Sequence, residues 1–417
     1  MNSKEIAKII NENNGNMYLV GGAVRDELFQ ASVHDNDYCI TGLTVEQFAN
    51  LFPDARLVGN DFPVFLINGE EYALARSEEK ISVGHKGFKM HTSPDITIEE
   101  DLKRRDITIN AIAKNILTNE IIDPFNGQED LKNGIIRHVS EAFAEDPLRA
   151  YRVARFSSKF NFDIHPDTIE LMKSLRNEIS TITPERVFVE LRKALQTDKP
   201  SKFFIALKEA EILDIHFPEI NDLINVPQPP QYHPEGDCFN HSMIVLDKVS
   251  EQTNDTMVRF SALVHDLGKA KTPKEILPHH YNHEKNGIEP IKNLFKRLKL
   301  PKSWKKAGQN ACEYHMVLQN YEKMKPYKLA VLFNKLSNCT LGIDNLQIIT
   351  EADDMINRPK NNFADIAHKM LNSINGKTLI EKGLHPNNIG YEKFVNQLLT
   401  QQADFLKRNI SKDIDGR

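Results

Sequence analysis

The hydrophobic pattern of this chain changes once, near Glu141, and that change limits the folds that it can adopt. Before this point, short β-like runs alternate with turns, as in MYLV, DYCITG, DARLVG, FPVFLI, EYALAR and ITINAIAKNI. After it, apolar residues recur at helical spacing to the end of the 417 residues. Alternating runs predict strands and helical spacing predicts helices. The sequence therefore predicts an α+β protein, in which a small mixed α/β head precedes all-helical parts.

Two signals in the helical part predict where its domains meet. Thr183–Glu185 combines an N-cap, a first-turn proline and an early acidic residue, which is typical of a helix start. The segment 226–234 (VPQPPQYHP) is a proline-stiffened linker. We therefore predict a head over residues 1–140, a helical neck over 141–225, and a helical domain with a helical tail over 226–417.

The composition excludes several classes of protein. A net charge of -5 argues against a general nucleic-acid coat, so local basic patches must hold any RNA. The four cysteines are scattered, without the spacing of a zinc knuckle or redox motif, which indicates a reducing compartment. The N-terminus lacks a signal-peptide core, and no apolar run is long enough to cross a bilayer. We expect a cytoplasmic protein without membrane contact, acting as a monomer or homodimer.

The first candidate site begins with a glycine turn. Met17–Val20 is a predicted strand, Gly21–Gly22 a turn, and a helix follows, so backbone N–H groups there would face a phosphate. Arg25 lies one helical turn further on. Asp35 and Asp37 alternate along a strand and share a face, as two ligands of one Mg²⁺ require. Together these residues would hold a nucleoside triphosphate for in-line attack on its α-phosphorus; the alternative is a turn and a solvent-facing acidic strand end.

The segment 101–110 (DLKRRDITIN) places cations beside carboxylates just before an apolar run. We predict that Arg105 contacts the triphosphate. Asp106 has two possible roles that the sequence leaves open. It is either a third catalytic carboxylate or the partner of a neighbouring arginine in a structural salt bridge.

The most informative segment is 145–156 (EDPLRAYRVARF), where Asp146, Arg149, Arg152 and Arg155 recur every three residues as one slowly winding polar stripe. Cytosine and adenine share an edge with an amine donor beside a ring-nitrogen acceptor, whereas guanine and uracil have the opposite polarity. An Asp146–Arg149 pair would therefore accept C and A without a nucleic-acid template. Arg152 and Arg155 are placed to meet phosphates. The alternative is an exposed helix with ion pairs of little energetic weight.

These segments resemble the class II tRNA nucleotidyltransferases, and more closely the bacterial multifunctional CCA proteins with an HD domain. The matching stretches, in family order, are LVGGAVRDELF, HDNDYCITG, VGNDFPVFL, EEYALAR, DLKRRDITINAIA, IIDPFNG and EDPLRAYRVARF. The resemblance implies that Asp35 and Asp37 are catalytic residues that bind Mg²⁺. It implies a nucleotide pocket made of Gly22, Arg25, Arg105, Asp146, Arg149, Arg152 and Arg155.

The resemblance implies a substrate as well as a pocket. The enzyme would add C, C and A to the 3′ end of its partner, tRNA, from CTP and ATP. Poly(A) polymerases share the glycine turn, the paired aspartates and the RRD segment, and they are the main alternative. NDFPVFL and EEYALAR are more similar to the CCA-adding branch. An HD hydrolase with a degenerate head and a non-catalytic tRNA-binding protein also stay open.

The second candidate site follows the linker. Histidines and carboxylates occur there in an order suited to a divalent transition metal or Mg²⁺. The order resembles the HD phosphohydrolase superfamily, which implies that His265 and Asp266 are catalytic. It also implies metal ligands, which are His241, His265, Asp266 and Asp353.

This second resemblance implies further properties. The metal would be Ni²⁺ or Mg²⁺, and the activities would be those of a 2′,3′-cyclic phosphodiesterase, 2′-nucleotidase and phosphatase that repair tRNA ends. His283 and His315 would contact a second metal ion or the phosphate. The segment 279–287 (HHYNHEKNG) lacks the glycine-rich pattern of the family, so the role of His283 stays open.

Overall fold

The computed structural model describes residues 1–30, 36–58, 63–80, 88–356 and 361–415, with side chains outside 78–90 and 411–415. These residues form two compact units. The first comprises Met1–Glu190 and Lys202–Ile215, and the second comprises Leu191–Ser201 and His216–Arg417. The first contains the sheet and the second is helical, so the predicted α+β class is confirmed.

Within the described residues, seven strands of the first unit form one sheet in the order β3-β4-β5-β2-β1-β8-β9. β2 and β5 pair in parallel, and the other neighbours are antiparallel. Two further pairs, β6 with β7 and β10 with β11, stand outside this sheet. The strands are β1 (Asn16–Val20), β2 (Asp37–Thr41), β3 (Arg56–Val58), β4 (Val64–Ile67), β5 (Glu70–Leu74), β6 (Arg76–Lys80), β7 (Phe88–Thr92), β8 (Ala113–Asn115), β9 (Ile121–Ile122), β10 (Ile135–Ile136) and β11 (Asp163–Ile164).

Helices cover the sheet, and the chain beyond it is mainly helical as far as Asp415. The first eleven are α1 (Ser3–Glu12), α2 (Gly22–Leu28), α3 (Val45–Leu51), α4 (Ile98–Lys103), α5 (Gly127–Asn133), α6 (Leu148–Phe160), α7 (Pro166–Ser174), α8 (Arg176–Ile179), α9 (Pro184–Ala194), α10 (Ser201–Glu209) and α11 (Leu213–His216). The others are α12 (Pro218–Asn221), α13 (Cys238–Ser250), α14 (Thr256–Val264), α15 (His283–Asn286), α16 (Ile288–Leu298), α17 (Lys302–Gln319), α18 (Pro326–Leu336), α19 (Ile343–Asp353), α20 (Phe363–Ser373), α21 (Gly376–Glu381), α22 (Pro386–Ile389) and α23 (Tyr391–Asp415). Among the described residues, no helix is both long enough and apolar enough to cross a membrane.

The two-residue period of β1 explains why both faces of the sheet are buried. Met17 and Leu19 join an apolar cluster that contains side chains of α1, α2 and α3. Tyr18 and Val20 point to the opposite face, where a second cluster includes residues of α4. Val20 also pairs with Asp37, so the turn after β1 lies at the same edge of the sheet as the start of β2.

The structure differs from the prediction in three places. The strand predicted over 107–116 is wrong in its first half, where Thr108–Asn110 is a 3₁₀ turn. The turn brings the Asn110 side chain to Asp106 and Arg25, and these contacts favour it over a strand. The β6–β7 hairpin is absent from the prediction because its residues are largely polar. The neck is also not purely helical, since it contains the short strand β11.

Arg259 explains why the segment Leu191–Ser201 belongs to the second unit. Its side chain is fully buried in α14. The guanidinium donates hydrogen bonds of 2.7–2.8 Å to the carbonyl oxygens of Leu195, Thr197 and Ser250. Carbonyl groups at the ends of two helices thereby compensate the charge of a buried guanidinium. A shorter side chain at this position would not reach these carbonyl groups.

Candidate active sites

The glycine turn after β1 brings the chain close to an arginine. Gly21 has φ +69°, a left-handed conformation that favours glycine, and a Cβ atom there would lie 2.9 Å from Nη1 of Arg105. Gly22 begins α2, and Asp37, on the strand paired with β1, is exposed. Asp35 lies outside the described residues. The structure therefore places the turn, Arg105 and Asp37 at one edge of the sheet, and the paired-aspartate metal site stays a prediction.

Arg25 is buried behind this turn. Its Nη1 donates to Oδ1 of Asn110, its Nε donates to Asp26 at 2.8 Å, and its guanidinium carbon lies 4.7 Å from the ring centre of Phe160. A Cβ atom on Gly22 would lie 3.3 Å from Nη2 of Arg25. Arg25 thus supports the turn through contacts with protein groups, and its predicted contact with a nucleotide is not tested.

The buried Asp106 forms an ion pair with the partly exposed Arg152. Arg152 donates from Nη2 at 2.6 Å and from Nε at 2.8 Å to one carboxylate oxygen, and Asn110 donates to the other at 3.1 Å. Burial alone would raise the pKa of Asp106, but Arg152 and Asn110 hold that pKa below its usual range. Because both oxygens have protein donors, the geometry supports the structural salt bridge over the third catalytic carboxylate.

Asp146 and Arg149 are neighbours without a side-chain bond between them. Asp146 lies in extended backbone just before α6, where Oδ2 accepts from Nη2 of Arg186 at 2.7 Å and Oδ1 from the Leu148 N–H at 3.1 Å. Arg149 donates instead to the carbonyl of Ala142. The partner Arg186, on α9, was missed by sequence reasoning, which used this segment only as a helix start.

The polar stripe along α6 is buried at its far end. Each step of three residues rotates a side chain by about 60° around a helix, so the series winds from solvent into the protein. Arg155 is buried, donates to Glu190 at 2.5 Å, and lies 4.0 Å from the ring centre of Phe156. Because Arg155 already has a carboxylate partner inside the protein, its contact with phosphate stays a prediction.

Three helices of the second unit bring four buried side chains together. His241 belongs to α13, His265 and Asp266 follow α14, and Asp353 ends α19. One ligand atom from each lies within 4.8 Å of the others. Nε2 of His241 is 2.8 Å from Asp353 and 3.4 Å from Asp266, and Nε2 of His265 is 3.2 Å from Asp266. The four residues predicted as metal ligands therefore form one cluster.

The hydrogen bonds of the two imidazoles assign their protons. Nδ1 of His241 faces Glu235 Oε1 at 2.6 Å, and Nδ1 of His265 faces the carbonyl of Ala262 at 2.7 Å, so each Nδ1 is the donor. Nε2 of each ring then faces carboxylates. Burial alone would lower the pKa of His265, but Asp266 and Asp353 raise it to about 10, so without a metal ion its Nε2 carries a proton. In the described part of the chain, Oδ1 of Asp266 has no hydrogen-bond partner. A buried carboxylate oxygen without a donor, beside converging imidazole nitrogens, fits a metal cation, which would displace that proton.

A second group shares Asp266. Its Oδ1 lies 3.3 Å from Nε2 of His283 and 3.5 Å from Nε2 of His315, and the two nitrogens are 3.1 Å apart. Nδ1 of His283 faces the His280 carbonyl and Nδ1 of His315 faces two carbonyls of α17, so the Nε2 atoms of both rings are left to face Asp266. Burial lowers the pKa of His315 to about 4, so this ring is neutral at pH 7. Asp266 therefore faces two possible cation positions, one with each oxygen.

Lys269 supplies positive charge beside the shared carboxylate. Its Nζ lies 2.6 Å from Oδ2 of Asp266 and donates to Gln228 at 2.7 Å. Burial alone would raise the pKa of Asp266, but His265 and Lys269 hold that pKa well below its usual range. Asp266 is therefore ionised, as a metal ligand must be.

Gly268 explains why a glycine follows the His-Asp pair. A Cβ atom at this position would lie 1.9 Å from the carbonyl oxygen of His283 and 2.6 Å from the amide nitrogen of Gly287. Both contacts are with backbone, which cannot rotate away. Gly268 thus allows the segment that carries His283 to approach Asp266.

We expect Gly268→Ala to displace His283 and weaken the second metal group. Overpacking of this kind costs about 1–3 kcal/mol of stability, and loss of a ligand contact should lower phosphohydrolase activity at least tenfold. Thermal unfolding and metal content per chain measure both effects. Gly376→Ala is the matched control, since its Cβ would meet only ordinary contacts at 3.8 Å. Equal metal content in the two variants would contradict the prediction.

Comparisons with known proteins match nearly the whole length of the chain. Family models match in three segments: a poly A polymerase head domain over residues 17–137, a probable RNA and SrmB-binding site of polymerase A over 161–224, and an HD domain over 238–356. A multifunctional CCA protein of Mannheimia succiniciproducens is 42% identical over 95% of this chain and 99% of its own length. That of Nitrosococcus oceani is 40% identical over 94% and 98%.

Solved structures of CCA-adding enzymes share the fold. An apo form has a TM-score of 0.66 at 22% identity, covering 99% of this chain and 96% of that one. A complex with ATP has a TM-score of 0.64 at 22% identity, covering 96% and 90%. The Thermotoga maritima enzyme in complex with tRNA has a TM-score of 0.64 at 20% identity, covering 99% and 96%. At these identities the likeness shows the fold alone.

Proposed function

We propose the function from the premise that this chain belongs to the family of multifunctional CCA proteins, two of which match nearly its full length. It is a nucleotidyltransferase that adds C, C and A to the 3′ end of tRNA from CTP and ATP, and its HD domain is a phosphohydrolase. The observation that carries this conclusion is the joint match of the polymerase head and the HD domain along one chain. A poly(A) polymerase is less supported, because the full-length relatives are CCA proteins.

The head is proposed to bind the triphosphate at the edge of the sheet where β1 ends. Gly21, which has no Cβ, lets the backbone and Arg105 approach the phosphates, and Asp37 faces solvent beside them. Mg²⁺ bound by Asp35 and Asp37 would supply charge neutralisation for the leaving pyrophosphate. Arg25 supports the turn through its contact with Asn110. Arg152 holds the Asp106 carboxylate in one orientation.

Asp146 and Arg149 are proposed to read the incoming base. Arg186 and the Leu148 N–H fix the Asp146 carboxylate, which leaves it as an acceptor of constant direction. Arg149 is bonded to a neutral carbonyl, a weaker partner than a carboxylate, so an incoming base can replace that bond. An acceptor and a donor side by side match the shared edge of C and A.

A test of the nucleotide-adding function uses tRNA that lacks its CCA end. We expect CTP alone to add two residues, CTP with ATP to add three, and ATP alone to add none before the cytidines are present. Sizing the products on a denaturing gel separates these outcomes. A long adenosine tail with no use of CTP would instead identify a poly(A) polymerase.

Arg149→Ala should relax the choice of base. A pair of hydrogen bonds to a base edge contributes about 1–3 kcal/mol of discrimination, so the preference for CTP and ATP over GTP and UTP should fall roughly 5- to 150-fold. Single-nucleotide incorporation with each triphosphate measures it. Arg176→Ala is the control, because this exposed arginine of the same unit pairs with Asp214. If base choice stays normal in Arg149→Ala, the pair does not act as the template.

The HD domain is proposed to hold two divalent ions. The first would have the ligands His241, His265, Asp266 and Asp353, and the second those of Asp266, His283 and His315. Mixed nitrogen and oxygen ligands suit a transition metal such as Ni²⁺, with Mg²⁺ as the other candidate. Bound ions would polarise a phosphoryl group and provide a nucleophile at neutral pH. Glu235 fixes the orientation of His241, and Lys269 offers positive charge to the phosphate.

We further propose that the two activities act in series on damaged tRNA. A 2′,3′-cyclic phosphate occupies the 3′-oxygen that the head requires as its nucleophile. Water opens the ring to a 2′-phosphate and frees the 3′-hydroxyl, and a second water releases that phosphate as inorganic phosphate, which restores the 2′-hydroxyl. All four cysteines are free thiols, which fits the proposed cytoplasmic location. The chain would act as a monomer or homodimer.

A further inference from the structure

Two cavities open beside the HD metal ligands, and each contains an exposed tyrosine. The first, of about 510 Å³, is lined by Asp353, Lys269, Lys323 and Tyr232 among others. The second, of about 770 Å³, is lined by residues that include His283 and Tyr281. Both volumes lie in the range of about 300–1,000 Å³ that is typical of small-molecule sites.

One side chain lines both cavities, and the metal groups beside them share one carboxylate. Met316, the residue after the ligand His315, lines both of them. Asp353 belongs to the first metal group and His283 to the second, and Asp266 joins the two groups. A phosphate held by metal ions at Asp266 would therefore have one cavity on each side.

The tyrosines have no evident structural purpose at these positions. Tyr232 is 50% exposed and Tyr281 is 67% exposed, so neither contributes a core contact of the usual kind. Tyr281 also stacks on His279, with ring centres 6.0 Å apart, which holds its ring in a defined plane. Exposed aromatic rings beside lysines are typical of surfaces that bind single-stranded nucleic acid by base stacking.

We propose that the HD site recognises the last two nucleotides of a single-stranded RNA 3′ end, with one base stacked on each tyrosine. The terminal base lies on Tyr232, because this cavity also contains Lys269, whose ammonium group is 2.6 Å from Asp266 and nearest the phosphate. The preceding base lies on Tyr281. This inference rests on the proposed phosphohydrolase function and adds the two residues that recognise the bases of the RNA end.

Three substrates distinguish the two stacking positions in the full-length, metal-loaded protein. They are glycerol 2-phosphate, which has no base, cytidine 2′,3′-cyclic phosphate, which has one, and a cytidine dinucleotide with a terminal 2′,3′-cyclic phosphate, which has two. Loss of one stacked base should raise KM roughly 5- to 150-fold. Tyr232→Ala should therefore raise KM for both cytidine substrates, and Tyr281→Ala only for the dinucleotide. The phenylalanine variants should keep the wild-type KM, because they keep the ring.

Tyr391→Ala is the matched control, since Tyr391 is 76% exposed and lines neither cavity. If both alanine variants have the same KM for the dinucleotide as this control, the inference is wrong. If the wild type hydrolyses the mononucleotide and dinucleotide with equal kcat/KM, recognition of a second base is also refuted. Failure of the wild type on all three esters would overturn the phosphohydrolase function itself, and the inference with it.

Discussion

Asp37→Ala is expected to abolish nucleotide addition while phosphoester hydrolysis continues. A metal ion contributes several kcal/mol to transition-state stabilisation in phosphoryl transfer, so removing one ligand should lower the rate by about 10³-fold or more. Asp37 is exposed at the start of β2, so the head should still fold after the change. Rates of CMP incorporation into tRNA measure the loss.

Asp54→Ala is the matched control for this variant, because Asp54 is another exposed aspartate of the head. It should incorporate CMP at the wild-type rate. Hydrolysis of a small phosphoester by Asp37→Ala reports that the HD domain is folded. Incorporation by Asp37→Ala within tenfold of wild type would mean that this carboxylate does not bind the catalytic metal.

His265→Ala is expected to have the opposite effect. The ring is fully buried and its Nε2 points into the metal cluster, so the variant removes one ligand and should lower phosphohydrolase activity about 10³-fold. Removing this ligand is preferable to removing Asp266, because the latter would leave the buried Lys269 without its carboxylate. Bound metal per chain, measured by elemental analysis, should fall in parallel.

The control is His368→Ala, which removes a half-exposed histidine that pairs with Asp344 outside the cluster. It should retain both its metal and its hydrolytic activity. Nucleotide addition should be unchanged in both histidine variants. Joint loss of addition and hydrolysis in a folded His265→Ala protein would show that the two sites do not act independently.

Local patterns in the sequence predicted the elements on which the sites stand. The run DYCITG predicted β2, and the strand, glycine turn and helix over β1 and α2 are present as expected. These features depend on neighbouring residues, and side-chain alternation alone assigns Met17 and Tyr18 to opposite faces. The four HD ligands were placed by resemblance to a family whose motif preserves their order.

Partners that are distant in the sequence were not predictable. Asp146 is bonded to Arg186, 40 positions away, and Arg155 to Glu190, 35 positions away. Neither pair follows from a periodic pattern, because each depends on how α9 lies against α6. Three-residue spacing predicted that the stripe winds slowly around the helix, but it did not predict that this rotation buries Arg155. The side chains that orient the predicted site residues could therefore be identified only from the structure.

The most direct test of the account is extension of a tRNA that lacks CCA and ends in a 2′,3′-cyclic phosphate. We expect the wild-type protein, given CTP and ATP, to remove the phosphate and then add three nucleotides. His265→Ala should extend only the matching tRNA with a free 3′-hydroxyl, and Asp37→Ala should remove the phosphate without extending the end. Extension of the cyclic-phosphate tRNA by His265→Ala at the wild-type rate would contradict the account, because the HD site would then have no part in repair.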